Sequence, residues 1–268
     1  MASSKLANWI LVFSAISVVI PILSLLMASF LGLSEYAIPP LNPTLGNYVT
    51  LIHNHFLTNI LNTFIVISMA ILITLILAVP SAYTIGRHGI PYNLWLGALV
   101  LLLIAKSVPP ASLLIPVYES LWKLGLTNSY IGLALAYQIY VLPFTIWILI
   151  GFFMDIPDEL DIAARIDGAN ALSRFIRIGL PMAIPGLISA IILDFIVLWN
   201  EYMYASILIS NTASYTAAVV IGQMVTSEYG LSWGVLAASN ILTVIPVLFF
   251  VGIIHKNLAK AFTGGIKK

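Results

Sequence analysis

Six stretches of the chain, residues 9–30, 60–83, 94–114, 131–153, 184–208 and 235–254, are apolar all round a helical wheel rather than along one stripe. Each reaches the roughly 20 residues that a helix rising about 1.5 Å per residue needs to cross about 30 Å of hydrocarbon. Strict alternation of apolar and polar positions, the mark of a membrane barrel, is missing throughout. The first stretch follows Lys5 and invites comparison with a secretory signal. Its apolar core is about twice the usual 7–15 residues, so it reads as a retained first span. The pattern predicts an all-α membrane protein with six transmembrane helices in a single domain over 1–268. Segments 31–59 and 209–234 read as long loops without Lys or Arg, residues 84–93 as a short turn, and 154–183 as one long polar loop.

Composition strengthens this picture. The chain is 61% apolar and 8% charged, with a mean hydropathy of +1.06. A soluble domain carries about a quarter charged residues and needs them to cover its surface. A net charge of +1 without a basic patch leaves no footprint for nucleic acid. Cysteine is absent, which removes disulfides and thiolate chemistry.

The basic residues orient the spans. Lys5, Arg87, Arg165, Arg174, Arg177, Lys256, Lys260, Lys267 and Lys268 share one side, the opposite loops hold only Lys123, and Lys106 lies within the third span. Both termini and loop 154–183 are therefore expected in the cytoplasm.

Of the 11 basic and 10 acidic residues, eight fall between Asp155 and Arg177. Pro157-Asp158-Glu159 suits a helix start, with proline in the first turn and acids at the positive end of the dipole. Leu160, Ala163, Ala164 and Asp167 share a side, and Gly168 breaks the helix. In the next helix Leu172, Phe175, Ile176 and Gly179 form one stripe, and Ser173, Arg174 and Arg177 another; Pro181 and Pro185 close it. An interfacial helix snorkelling its arginines into headgroups is one reading. The small face of Ala163, Ala164, Gly168 and Ala169 favours another, close approach by a cytoplasmic protein.

The stretch "ELDIAARIDGANALSRFIRIGLPMAIPG" resembles the cytoplasmic signature of ABC importer permeases: Glu-Ala-Ala, two residues, Asp-Gly-Ala, then Ile-x-Leu-Pro. "YQIYVLPFTIWILIGFF", "WNEYMYASILI" and the tail "AFTGGIKK" resemble flanking elements of the carbohydrate-uptake, maltose-permease branch, a likeness running from about Gly46 onward. One position departs: Ile162 stands where the signature has glutamate, and Asp161 or Glu159 is expected to supply part of that charge. The resemblance implies a type I ABC importer permease fold with a cytoplasmic coupling helix between the fourth and fifth spans. By the same resemblance Glu159, Asp161, Ala163, Ala164, Asp167, Gly168 and Ala169 would contact the ATPase.

No G-x-x-x-x-G-K-[ST] phosphate loop occurs, so ATP and its Mg are expected on a partner rather than on this chain. The resemblance implies two ATP-binding cassette subunits, a second homologous permease forming a heterodimer, an extracellular solute-binding protein and a sugar cargo, in a prokaryotic cell membrane. Loop 209–234, with Asn211, Thr212, Tyr215, Gln223 and Glu228, is a candidate contact for the binding protein.

Polar groups inside spans are costly in lipid and hence candidates for a substrate pathway. Asp194, Asn200 and Glu201 qualify, with Trp199, Tyr202 and Tyr204 available to stack on sugar rings. Gln138 could line the route or bridge helices. Lys106, with Ser107 and Pro109-Pro110, marks a broken third span, and reads as hinge, pathway element or snorkelling lysine. His53 and His55 lack a nearby carboxylate for a metal pair, and no catalytic constellation is visible. A sugar importer permease is the leading reading. A polyol or phosphorylated-sugar importer and a self-sufficient carrier are the alternatives.

Overall fold

The computed structural model describes residues 2–32, 38–87, 90–226 and 232–264. Glu228, Lys267, Lys268 and the last four residues of the "AFTGGIKK" tail lie outside them, as do the side chains of Lys5, Lys256 and Lys260. Every regular element among the described residues is helical.

In chain order the long helices are α1 (Ala2–Ala28), α2 (Gly46–His53), α3 (Phe56–Gly86), α4 (Tyr92–Ser107) and α5 (Leu114–Lys123). A short α6 (Tyr130–Ala136) leads into α7 (Gln138–Met154). Segment 154–183 folds into α8 (Asp158–Ile166), α9 (Ala171–Arg174), a π-turn (Phe175–Gly179) and α10 (Leu180–Met182). The chain continues through α11 (Ile184–Trp199), α12 (Met203–Leu208), α13 (Ala217–Thr226) and α14 (Trp233–Gly264).

Helices α1 and α3 are by themselves long and apolar enough to cross a bilayer. Three more candidates are bent pairs: α4 with the segment Pro110–Lys123 at 91°, α6 with α7 at 51°, and Ala171–Met182 with α11 at 67°. The break of the third span at Pro109-Pro110 and the helix end at Pro181 and Pro185 match the expectation, and the apolar pattern gives no warning of the bend between α6 and α7. The first has a local cause, since Pro109 and Pro110 cannot continue α4. The fifth apolar stretch is likewise interrupted at 200–202, between α11 and α12, rather than running to 208. The two segments read as loops contain α2 and α13.

Helix α3 is the central post, packed along α7 through residues small enough for close approach. Ala70, Ala78 and Ala82 are fully buried there, and Thr74 donates to Gln138 Oε1 at 2.8 Å. One apolar cluster centres on Phe56, Val66, Ile67, Tyr137, Phe195 and Tyr204; a second, toward segment 154–183, on Ala78, Ala82, Leu149 and Phe153. At the other end of α3, Asn59 donates to Tyr215 O at 3.0 Å and Asn62 to Ala213 O at 2.9 Å. Asn128 Oδ1 accepts from Ser210 and Asn211 N–H at 3.0 Å each. These side chains hold the 210–217 connection against the bundle.

Candidate functional site

The charged segment forms a braced peg. Helix α7 stops at Met154, and α8 begins after Pro157 with Asp158, Glu159 and Asp161 in its first turn. Gly168 (φ +80°) closes α8. Its N–H donates to Arg165 O at 3.0 Å and the Ala169 N–H to Ala164 O at 2.8 Å, the paired bonds of a Schellman ending. Glycine suits that position because a Cβ in the left-handed region meets the following carbonyl. Asn170 then caps the return helix, its Oδ1 accepting from Ser173 N–H at 2.8 Å.

Asp161 locks the two helices together. Its Oδ2 accepts from Arg165 Nη2 at 2.8 Å and from Arg174 Nη1 at 2.7 Å, with the carboxylate side chain 16% exposed. The charge expected to stand in for the signature's glutamate is thus turned inward at Asp161, and Glu159 alone stays exposed. The helical period explains it: one residue's displacement rotates a side chain by about 100°, from the outer face of α8 to the side facing α9. Ile162 is left 55% exposed and Ile166 81% exposed, and these two share a face with Glu159 and Ala163.

Ala164, Asp167, Gly168 and Ala169 line a cleft of about 490 Å³ opposite Ser173, Arg174 and Arg177. Glu159, Asp161 and Ala163 do not line it. The peg is joined to the bundle where Gly179 meets the Tyr83 ring, since a Cβ there would lie 2.6 Å from Tyr83 Cε2. The same ring packs against Phe153 and Phe175 at centroid distances of 5.3 and 5.0 Å.

Inside the bundle the six candidate pathway residues divide. Trp199, Asn200 and Tyr202 come together on a cavity of about 260 Å³, joined by Asn240 and Thr243 from α14. Trp199 is largely packed against Phe195 and Phe64, so Tyr202 is the freer aromatic face. Asp194 lines a different cavity, of about 330 Å³, with Lys106, Tyr140 and Phe144. Thr145 Oγ1 lies 2.8 and 2.9 Å from the two Asp194 oxygens. The Lys106 ammonium sits 4.3 Å from the Phe144 ring centroid, a cation–π contact.

Glu201 lines neither cavity. Its carboxylate accepts from the N–H groups of Tyr204 at 2.8 Å and Ala205 at 3.1 Å and from Tyr140 OH at 3.3 Å. It caps α12, satisfying amide donors that the break at 200–202 would leave orphaned. Tyr204 is buried, with its hydroxyl on Pro110 O at 2.8 Å, and is not free to stack on a ligand. Gln138 also lines neither cavity; its Nε2 donates to Ala70 O at 3.1 Å and Ala134 O at 2.9 Å, so it bridges helices. His53 and His55 sit at the α2–α3 junction, and no metal-binding cluster occurs among the described residues.

Residues 1–264 match the family described as the binding-protein-dependent transport system inner membrane component. The chain belongs to this family. The permease is 31% identical to the sulfoquinovosyl glycerol transport system permease protein of Agrobacterium fabrum, over 92% of its own length and 88% of the relative's. It is 29% identical to the trehalose/maltose transport system permease protein of Thermococcus litoralis, over 96% and 94%. In fold it is similar to a chain of a bacterial ABC transporter that imports the acidic polysaccharide alginate, with a TM-score of 0.77 at 22% identity over 94% and 95% of the two chains. The fold is that of a type I importer permease, and the relatives are permeases of carbohydrate uptake.

Asn240 and Thr243 are the polar cavity residues that the sequence pattern did not single out. The available signal was an Asn and a Thr three apart, beside Ser239, in a stretch that is apolar elsewhere.

Proposed function

We propose that this permease is a membrane subunit of an ATP-driven importer that passes a mono- or oligosaccharide from an extracellular binding protein to the cytoplasm by alternating access. The braced peg of segment 154–183 carries the reading: a rigid projection with small residues along its cleft suits docking into an ATPase subunit and transmitting rigid-body motion. Glu159, Ala163, Ala164, Asp167, Gly168 and Ala169 make or shape that contact, and Asp161 holds its geometry. Two ATPase subunits bind ATP and Mg, and a second permease completes the pathway. The chain crosses the membrane six times with both termini in the cytoplasm.

The sugar assignment is supported by the relatives and by the α11–α14 cavity. There Asn200, Asn240 and Thr243 offer hydrogen bonds beside the Tyr202 ring, the pairing that a hydroxyl-rich ring needs. Asp194 and Lys106 face a second part of the route. Lys106 favours, as a second reading, a sugar carrying an anionic group.

The test is affinity purification of the permease from detergent-solubilised native membranes. Recovery of a Walker-motif ATPase, lost when residues 160–170 are scrambled, supports the importer. A lone polypeptide that still moves solute in liposomes overturns it.

A further inference from the structure

Helix α3 ends at Gly86, and Arg87 follows it with its backbone N–H on Tyr83 O at 2.9 Å. Its guanidinium does not reach into solvent; the side chain is only 12% exposed. Nη1 donates to the Ile156 carbonyl at 2.7 Å, in the turn between α7 and α8. Nη2 pairs with Asp158 Oδ1, the first residue of α8, at 3.0 Å. One cation therefore touches the end of α3, the turn leaving α7 and the first turn of the peg.

Its surroundings make this junction stiff. A Cβ on Gly86 would lie 2.9 Å from Phe153 Cβ and 3.0 Å from Ile150 O, so α3 and α7 are already flush beside Arg87. Ile156 is buried, and Pro157 fixes the backbone torsion at the entrance to α8. Asp158, by contrast, is 84% exposed, and an ion pair so open to water contributes little to stability. A planar guanidinium that spends two separate nitrogens on a backbone carbonyl and a carboxylate fixes direction more than it adds binding energy.

We infer that Arg87 is a positioning residue for coupling: it ties the central helix α3 to the peg, so that movement of α8 reaches α3 directly as well as through α7. This rests on the proposed role of α8 as the ATPase contact. Without the tie, the ATPase still docks, but its stroke is spent on bending the turn at residues 155–157.

The experiment uses the complete transporter in proteoliposomes, with import and ATP hydrolysis measured on the same sample. Arg87→Gln is expected to retain the ATPase at the wild-type ratio while solute imported per ATP falls by about tenfold. Arg87→Lys, which keeps the charge near Asp158, is expected to recover a large part of that ratio. Asp158→Asn, on the exposed side of the pair, provides the same readout should Arg87→Gln fail to assemble. An unchanged ratio, including import and hydrolysis falling in parallel, overturns the inference and leaves Arg87 a stabilising residue. If scrambling residues 160–170 releases the ATPase while the Arg87→Gln ratio is unchanged, only the Arg87 role fails. If the scrambled chain keeps its ATPase, the docking reading itself fails.

Discussion

Asp161 and Arg174 are thirteen residues apart in the chain and 2.7 Å apart in space, on the two arms of the peg. Their pair makes the turn at Gly168 a fixed angle rather than a flexible elbow. Asp161→Asn keeps the shape but removes the charge that neutralises Arg165 and Arg174. Because the Asp161 and Arg174 side chains are both mostly buried, the expected loss is about 1–2 kcal/mol, more than an exposed pair would give. A lowered melting temperature in detergent checks it. An unchanged melting temperature would mean the brace does not hold the peg.

Gly168→Pro attacks the same turn through the backbone. Proline cannot adopt the positive φ found there and has no N–H to give Arg165 O. Membrane insertion is expected to be normal and import abolished. Gly168→Ala should cost only about 1 kcal/mol, the strain of a left-handed non-glycine residue. Import at the wild-type rate in the proline variant would show that coupling does not pass through this turn.

Glu201 separates a capping role from a substrate role. Glu201→Gln retains an oxygen acceptor for the Tyr204 or Ala205 N–H, so import is expected to stay within about twofold. Glu201→Ala leaves two buried donors unpaired and is expected to destabilise by about 1–3 kcal/mol, read as a lower melting temperature. A glutamine variant that is stable but inactive would move Glu201 back among the pathway residues.

Thr74 and Gln138 join α3 to the start of α7. Either Thr74→Val or Gln138→Leu removes the bond between the two helices, while Thr74 keeps its bond to Ala70 O and Gln138 its bonds to Ala70 O and Ala134 O; each should cost about 0.6 kcal/mol, the average for polar contacts between membrane helices. The double variant should cost less than the sum of the two. Strict additivity in a double-mutant cycle would show that the pair is not energetically coupled.

Tyr202 and Asn240 bring α11–α12 and α14 to one cavity although 38 positions separate them in the sequence. Asn240→Leu is expected to raise the KM for import several-fold, about what one lost hydrogen bond to a ligand contributes. ATPase retention should be unchanged, since the residue lines the α11–α14 cavity and not the cleft of the peg. A normal KM with lost ATPase would reverse the assignment.

Much of the permease was legible along the chain because its signals are local. Apolar runs without phase announce helices in lipid. Pro157, Gly168 and Pro109 each mark a helix end by their own backbone chemistry, and the signature spacing marks the peg. What stayed hidden depends on phase and on distant partners. A helix apolar all round carries no mark of which face meets another helix, so the bends at Tyr137 and the pairing of Thr74 with Gln138 could not be read. The chain shows an acid at Glu201 and another at Asp161, but burial and reach decide that one caps α12 and the other braces the peg. The α11–α14 cavity exists only once α14 packs back against the break at 200–202, and the tie from Arg87 to Ile156 only once α3 and α7 lie side by side. Local chemistry determined the helix ends at prolines and at Gly168; tertiary packing decided the remaining breaks and what each polar side chain faces.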